Sequence, residues 1–426
     1  MQMMADGPVE PVGFDATAVA DRGSSRRTNL GLILRLLRDH GARSRSQIAS
    51  DTGLPKATVT SLITELVERG LVREGKVDRG KAIGRPSHEI EMDGRNICGV
   101  GLEVNADYIS AVALDGHGTV VFETRAGVDV RGLSAEVAVG VLERVARQGL
   151  EAVRANGVEP IGMCVATPGV VDAVQGNVVF APNIGWRDVP LAAMLRQRLT
   201  TSAPRLQVEN DARLAAVAEH AEFAQRGVSE LLLITGEVGV AGGIISNGRP
   251  LRGYAGLAGE IGHTRFGSSD QPCVCGRTGC WETVVGLSAL LNRATSPGDP
   301  VRDPATDLEE RLSELLQRAA DGDQRARTAL DEVAVNLGDG LAVLADILNP
   351  EIIVLGGYFA FFGDFFVPSV QQRLDSRVMT PALPGTTVTR SRLGFTAACR
   401  GGAQLALEAV LQDPSLVTAP AMAGNL

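Results

Sequence analysis

Along the first ninety residues, apolar side chains recur every three or four positions, the rhythm of helices, and beyond them the rhythm shortens to that of strands. Leu30, Ile33, Leu34, Leu36 and Leu37 keep the helical spacing and stop at His40-Gly41, where glycine offers a C-terminal cap. Ser46 to Gly53 reads as a shorter second helix closed by glycine. After Leu54-Pro55, a third carries Val59, Leu62, Ile63, Leu66 and Val67 on one face, with Lys56, Ala57, Thr60, Ser61 and Thr64 largely off it. Two short helices about a tight glycine turn form a helix-turn-helix pattern, although a plain helical bundle has the same periodicity. The residues after the third helix favour DNA binding: Gly70 to Gly75 is extended, Lys76 to Lys81 is a charged turn, and Ser87 to Met92 returns as a strand, so that the pair reads as the wing of a winged helix. A solubilising surface hairpin is the plainer alternative for the wing alone.

Beyond Asp93-Gly94, strands alternate with helices, the mark of an α/β body. Strands are expected at Cys98 to Val104, Tyr108 to Leu114, Thr119 to Glu123, Pro160 to Ala166, Arg205 to Glu209, Leu231 to Thr235, Gly239 to Ser246 and Glu351 to Leu355. Helices are expected from Ser134 to Ala155, Leu308 to Ala319, Asp323 to Ile347 and Phe395 to Leu411. Residues 1–24 lack any periodicity and read as a disordered leader, and the Pro- and Ala-rich residues after Leu411 as an unstructured tail.

At 426 residues the chain exceeds one ordinary core and suits two or three domains. No apolar run reaches membrane-spanning length and the N-terminus is polar, which points to a cytoplasmic protein with no membrane partner. The net charge of −9 conceals an asymmetry. Between Arg26 and Glu91 there are 13 Lys/Arg against 8 Asp/Glu, a local surplus of 5 that leaves −14 for the remainder. A small basic module is attached to an acidic body. Within the module, Lys56, Thr58, Thr60 and Ser61 on the third helix are candidates for the major groove. Lys81 and Arg85 belong to the wing, and the flat guanidinium of Arg85, set between Gly84 and Pro86, suits a narrow A·T-rich minor groove. One helix-turn-helix touches too few base pairs for useful specificity, so a homodimer or homotetramer on a palindromic operator is expected.

The densest chemistry lies between residues 259 and 282. His263 is followed by Cys273, Cys275 and Cys280, four soft or borderline ligands, with Gly276 and Gly279 permitting a tight wrap. Structural zinc closes its shell with four such ligands, and a disulfide between two of the thiols is the alternative for a secreted chain. Cys98, Cys164 and Cys399 are scattered through apolar segments as buried reduced thiols would be. Glu260 and Glu282 flank the ligands, so whatever fixes the loop fixes these carboxylates too.

Gly-Glu-x-Gly-His followed by Cys-x-Cys-Gly-x-x-Gly-Cys-x-Glu resembles the ROK family of sugar kinases and sugar-responsive repressors. Further similar motifs come in the family's order: Thr167-Pro-Gly-Val-Val, Asn183-Ile-Gly-Trp186, Val208-Glu-Asn-Asp211-Ala, the glycine loop Gly239 to Gly243, and Asn349 to Gly357. The resemblance implies a two-lobed, actin-like (ribonuclease H-like) body behind the winged helix. The divisions it implies are a leader over 1–24, a winged helix-turn-helix over 25–93, a first lobe over 94–210 plus 396–412, a second lobe over 211–395 with the zinc loop, and a tail over 413–426. It also implies that Asn210, Asp211, Glu260, His263 and Glu282 bind sugar hydroxyls, with Asn183 and Gly185 as a second part of the wall. Polyol recognition needs several fixed donors and acceptors in a shaped cleft, which suits these residue types, and a histidine can serve metal and sugar through different ring nitrogens. Kinases of the family hold ATP with a first hairpin Asp-x-Gly-x-Thr and a second loop rich in Gly and Thr. Here Gly101, Glu103 and Asn105 stand at the first, and Glu237-Val-Gly-Val-Ala-Gly-Gly243 at the second. Two carboxylates where polyphosphate would lie oppose it by charge. The expectation is a sugar- or sugar phosphate-responsive regulator, acting as a repressor in carbohydrate metabolism and lacking kinase activity. The alternative is a bifunctional sugar kinase with a DNA-binding domain.

Overall fold

The computed structural model describes residues 22–78, 87–199, 204–266, 270–379 and 385–417. The expectations for residues 1–21, for Lys81 and Arg85 on the wing and for the last residues of the tail lie outside them.

Helix α1 (Arg22–His40) starts before the apolar rhythm does, so residues 22–24, expected to be disordered, are helical. Helix α2 (Arg45–Thr52) has a complete capping box: the Ser44 hydroxyl accepts from Gln47 N while the Gln47 side chain accepts from Ser44 N, and Gly53 at φ 71° closes the other end. Helix α3 (Lys56–Glu68) buries Val59, Leu62, Ile63 and Leu66. Strands Val72–Asp78 and Ser87–Met92 pair antiparallel, with Arg43–Ser44 beside the second, which completes a winged helix.

Two five-stranded sheets build the body. In the first, Arg205–Asn210, Glu159–Thr167 and Ile97–Val104 run parallel, and Tyr108–Asp115 and Val120–Gly127 extend it as antiparallel hairpins. In the second, Leu231–Gly236 lies at the centre, parallel to Ile352–Gly357 and antiparallel to Val240–Ser246. Each sheet has its own apolar core, the first closed by the helix Ala135–Ala155 and the second by the helix Gln324–Leu348. Between the sheets, the helix Asp211–Ala224 packs side by side with the terminal helix Ala397–Gln412. Glycines make that approach possible. A Cβ on Gly101 would stand 1.7 Å from the Cys399 carbonyl oxygen, and one on Gly401 1.9 Å from that of Leu214. Gly101, which the sequence places at the first phosphate hairpin, therefore also serves helix packing.

The terminal helix also reaches the winged helix. Val410 and Val417 are buried in the same core as Leu30, Ile33, Leu62 and Ile90. Arg35 donates to the Leu411 carbonyl at 2.7 Å, Arg38 pairs with Glu408 at 2.8 Å, and Arg69 donates to the Val417 carbonyl. The tail read as unstructured therefore has structure through Val417, with a single turn at Pro414–Leu416. Val417 and Arg69 explain why: an apolar side chain and a backbone carbonyl each find a partner on the winged helix.

Candidate functional site

The loop after the second sheet's hairpin gathers the four soft ligands. One donor atom each from His263, Cys273, Cys275 and Cys280 lie within 4.8 Å of one another. Cys275 Sγ and Cys280 Sγ are 3.7 Å apart, and Cys273 Sγ is 3.5 Å from His263 Nδ1. Bonds of about 2.3 Å to a tetrahedral ion put sulfur atoms at nearly this separation, so the donor set fits a metal ion. Gly276 and Gly279 have φ of 88° and 73°, a conformation in which other residues are strained, and this lets the chain wrap around one point. All six cysteines are free, which leaves no disulfide in the loop. The fully buried Trp281 anchors it below, donating to the Asn336 carbonyl at 3.1 Å and meeting Phe266 edge-on at 5.1 Å. Sequence reading passed over this tryptophan.

The cleft beside the loop opens at the carboxyl ends of the parallel strands, where α/β sheets receive ligands. Asn183, Asp211, Glu260 and His263 line one cavity there, with Asn105 and Glu237 at its far end. Nδ1 of His263 faces the thiols, which leaves Nε2 for the cleft side. Asp211 opens the helix Asp211–Ala224, and its carboxylate accepts from Ala212 N at 2.7 Å. Burial pushes Asp211 up to about 6. Glu260 is pushed up to about 7, first by burial and then by the charges of Asp211 and Glu282.

The remaining expected ligands stand apart from that cavity. Asn210 is the N-cap of the same helix: its carbonyl oxygen accepts from Arg213 N at 3.0 Å and its amide donates to Gly169 O at 3.1 Å, which uses two of the four hydrogen bonds its side chain can make. Gly185 closes a short turn at φ 70°. Glu282 Oε1 lies 2.8 Å from Cys273 Sγ, on the metal side, while Oε2 is buried without a partner. That oxygen is 2.9 Å from where a Cβ on Gly239 would stand, and Gly239 lines the cavity. Glu209 and Arg213 were also overlooked. They form a buried pair, Arg213 donates to Gly256 O at 3.0 Å and Arg252 reaches Glu209 at 2.8 Å, which ties the segment leading to Glu260 onto the first sheet.

At the far end, polar groups satisfy one another. The Asn105 amide donates to Glu237 and, at 3.4 Å, to Glu103, while the Tyr108 hydroxyl lies 3.0 Å from Glu103 and 3.3 Å from Glu237. Backbone amides are taken as well: Ala106 N donates to Asn105 Oδ1 at 2.7 Å and Glu237 N to Gly239 O at 2.9 Å. Burial and the Asp211 charge push Glu103 up to about 8, and burial with the Glu103 charge holds Glu237 well above the carboxylate range. The expectation of two full negative charges is thereby revised. Both carboxyls are held toward their protonated forms and are hydrogen-bonded within the network.

On α3, Lys56, Thr60 and Ser61 are exposed, while Thr58 is half-buried and leaves that face. Thr60 back-bonds to Lys56 O at 3.0 Å and Ser61 accepts from Arg26 at 3.3 Å. Ala57 and Thr64 complete the exposed stripe.

The sequence profile of the ROK family matches residues 100–409. This chain belongs to the ROK family. The IclR helix-turn-helix domain profile matches residues 29–75. The xylose repressor of Caldicellulosiruptor bescii is 28% identical over 396 residues, covering 91% of this chain and 98% of its own. A glucokinase from Halalkalibacterium halodurans is 35% identical over 252 residues, 58% of this chain and 76% of its own. Among solved structures, a ROK family transcriptional regulator, a homolog of the E. coli MLC protein, aligns at a TM-score of 0.73 and 24% identity over 91% of this chain and 97% of its own. That likeness extends over the winged helix as well as the body.

Proposed function

We propose that this protein is a DNA-binding transcriptional regulator, a repressor of carbohydrate metabolism, whose ROK body senses a sugar or sugar phosphate and does not phosphorylate it. The observation that carries the reading is the network of Glu103, Asn105, Tyr108 and Glu237, in which Asn105 takes up the Ala106 amide, at one end of a cleft whose other end keeps Asp211, Glu260 and His263 available. A kinase needs such amides free for the γ-phosphate and its metal. The likeness to a repressor over 91% of this chain, against 58% for a glucokinase, supports the same reading.

In this reading His263, Cys273, Cys275 and Cys280 hold a structural zinc ion that fixes the loop carrying Glu260, and His263 Nε2 and the carboxylates meet sugar hydroxyls. The winged helices of a homodimer or homotetramer, working in the cytoplasm, read the paired half-sites of a palindromic operator through Lys56, Thr60, Ser61, Lys81 and Arg85. Sugar draws the lobes together and weakens operator binding, and by linkage operator weakens sugar binding by the same factor.

Operator retardation with and without sugar tests this. For Glu260→Ala, the expected result is loss of the sugar response with sugar-free operator affinity within about twofold of the parent, since one rim contact far from DNA is removed. A folded, metal-loaded Glu260→Ala that no longer binds operator would overturn the sensor assignment. Sugar-dependent ATP consumption that requires Asp211 would instead favour the bifunctional kinase.

A further inference from the structure

We propose that the effector of this cleft is an uncharged or amine-bearing sugar, and that the cleft rejects sugar phosphates and other anionic sugars. This rests on the sugar-sensing reading above and narrows it to one ligand class.

The charge of the lining decides the matter. Asp211 and Glu260 face the cavity, beside a Glu237 carboxyl already bonded to Asn105 and Tyr108, and no lysine or arginine lines it among the described residues. Its one basic side chain, His263, turns Nδ1 to the thiols. A dianionic phosphate entering here would leave water with no lysine or arginine in the lining to meet it. Backbone amides are the usual substitute, and at the closed end those of Ala106 and Glu237 are already bonded within the protein. Arginines do occur near the mouth, where Arg265 and Arg277 line the neighbouring outer cavity that shares Glu260 and His263 with the cleft. Arg265 pairs with Asp270 at 2.7 Å on the surface, and Arg277 stands in the metal loop two residues after Cys275.

Hydrogen bonding points the same way. On the sugar side of the cleft the acceptors are the Asp211 and Glu260 carboxyls, with the partnerless Glu282 Oε2 beside Gly239, and they face three side-chain donors, the Asn183 amide, the Thr235 hydroxyl and His263 Nε2. A ligand that satisfies such a wall must bring donors of its own, which hydroxyls and ammonium groups do and a phosphate dianion does not.

The test is calorimetric titration of the zinc-loaded full chain at pH 7.5 with glucose, xylose, glucosamine and N-acetylglucosamine, alongside glucose 6-phosphate, glucosamine 6-phosphate and N-acetylglucosamine 6-phosphate. Binding by at least one member of the first group is expected, with any phosphate weaker by on the order of 100-fold, the effect of one unscreened like-charge pair at about 5 Å in a medium of effective dielectric near 20. Inorganic phosphate added to the best sugar should leave its Kd unchanged. A phosphate that binds as tightly as its parent sugar, or inorganic phosphate that competes, would overturn the inference and leave the sensing function standing. Failure of every sugar and sugar phosphate to bind would overturn both.

Discussion

The two ends of the cleft are built from the same kind of residue and use it in opposite ways. At the closed end, Glu103 and Glu237 are tied by Asn105 and Tyr108, and the neighbouring amides are occupied. At the open end, Asp211 and Glu260 face a cavity, Glu282 keeps one oxygen unpaired, and a metal-type ligand cluster stands just behind. Acidic residues alone thus say little about whether a cleft binds. What separates a plug from a receptor is whether its polar groups have already found partners inside the protein.

Changes at the two ends should consequently differ in sign as well as size. The largest effect is expected from Cys275→Ser, which removes one of four ligands. Metal analysis should find well under one zinc per chain, and because structural metal binding is folding free energy of several kcal/mol or more, the midpoint of thermal unfolding should fall. Full zinc occupancy in that variant would remove the metal from the account of the open end.

Next in size is Asp211→Asn, expected to stabilise. A carboxyl raised from 3.8 to about 6 binds its proton more tightly in the folded state, so its cost is absent below about pH 3.8 and complete above about pH 6. With part of Asp211 open to cleft water, the gain for Asn should be about 2 kcal/mol at pH 8, shrinking to nothing near pH 4. The sugar response should be lost in the same variant. Denaturant titrations across that range check the sign, and a destabilised variant at pH 8 would mean that Asp211 is already satisfied.

The smallest change is Tyr108→Phe at the closed end, which takes one hydroxyl from the plug and leaves two carboxyls short of a partner. A loss of about 1 to 2 kcal/mol in chemical denaturation is expected, with sugar affinity nearly unaltered. If sugar affinity falls with stability, the two ends are not separable.

Much of this division was legible in the sequence, and the exceptions have physical causes. Strands such as Leu231–Gly236, with their continuous apolar runs, and helices capped by Ser44, Ser134 or Asp323 announce themselves locally. The small sheet of Val170–Asp172, Asn177–Ala181 and Trp186–Val189 was missed because short strands carry too few residues to show a period. The helix Gly363–Asp375 was missed because Pro368 sits inside it. At the site, the spacing of His263 and the cysteines was informative because ligands close in sequence must share one turn of chain. Asn210, read as a ligand, also caps a helix, and both uses draw on the same side-chain amide. Gly101 gave no sign of the helix packed on it, because Cys399 is almost three hundred residues away in the chain.

The helix that presses on Gly101 has a bearing on how this protein could be re-engineered. Cys399, near its start, touches Glu103 at the plug, and Val410, near its end, is part of the hydrophobic interior of the winged helix. Cutting the chain in the Asp93–Asn96 link would therefore not yield a portable DNA reader, since the reader's interior is finished by residues more than three hundred positions later. A graft of this winged helix onto a foreign sensor would need to bring residues 397–417 along, or supply new apolar cover for Leu30, Ile33 and Leu62. The first and last parts of the chain form a single inheritable unit with the sensor threaded between them.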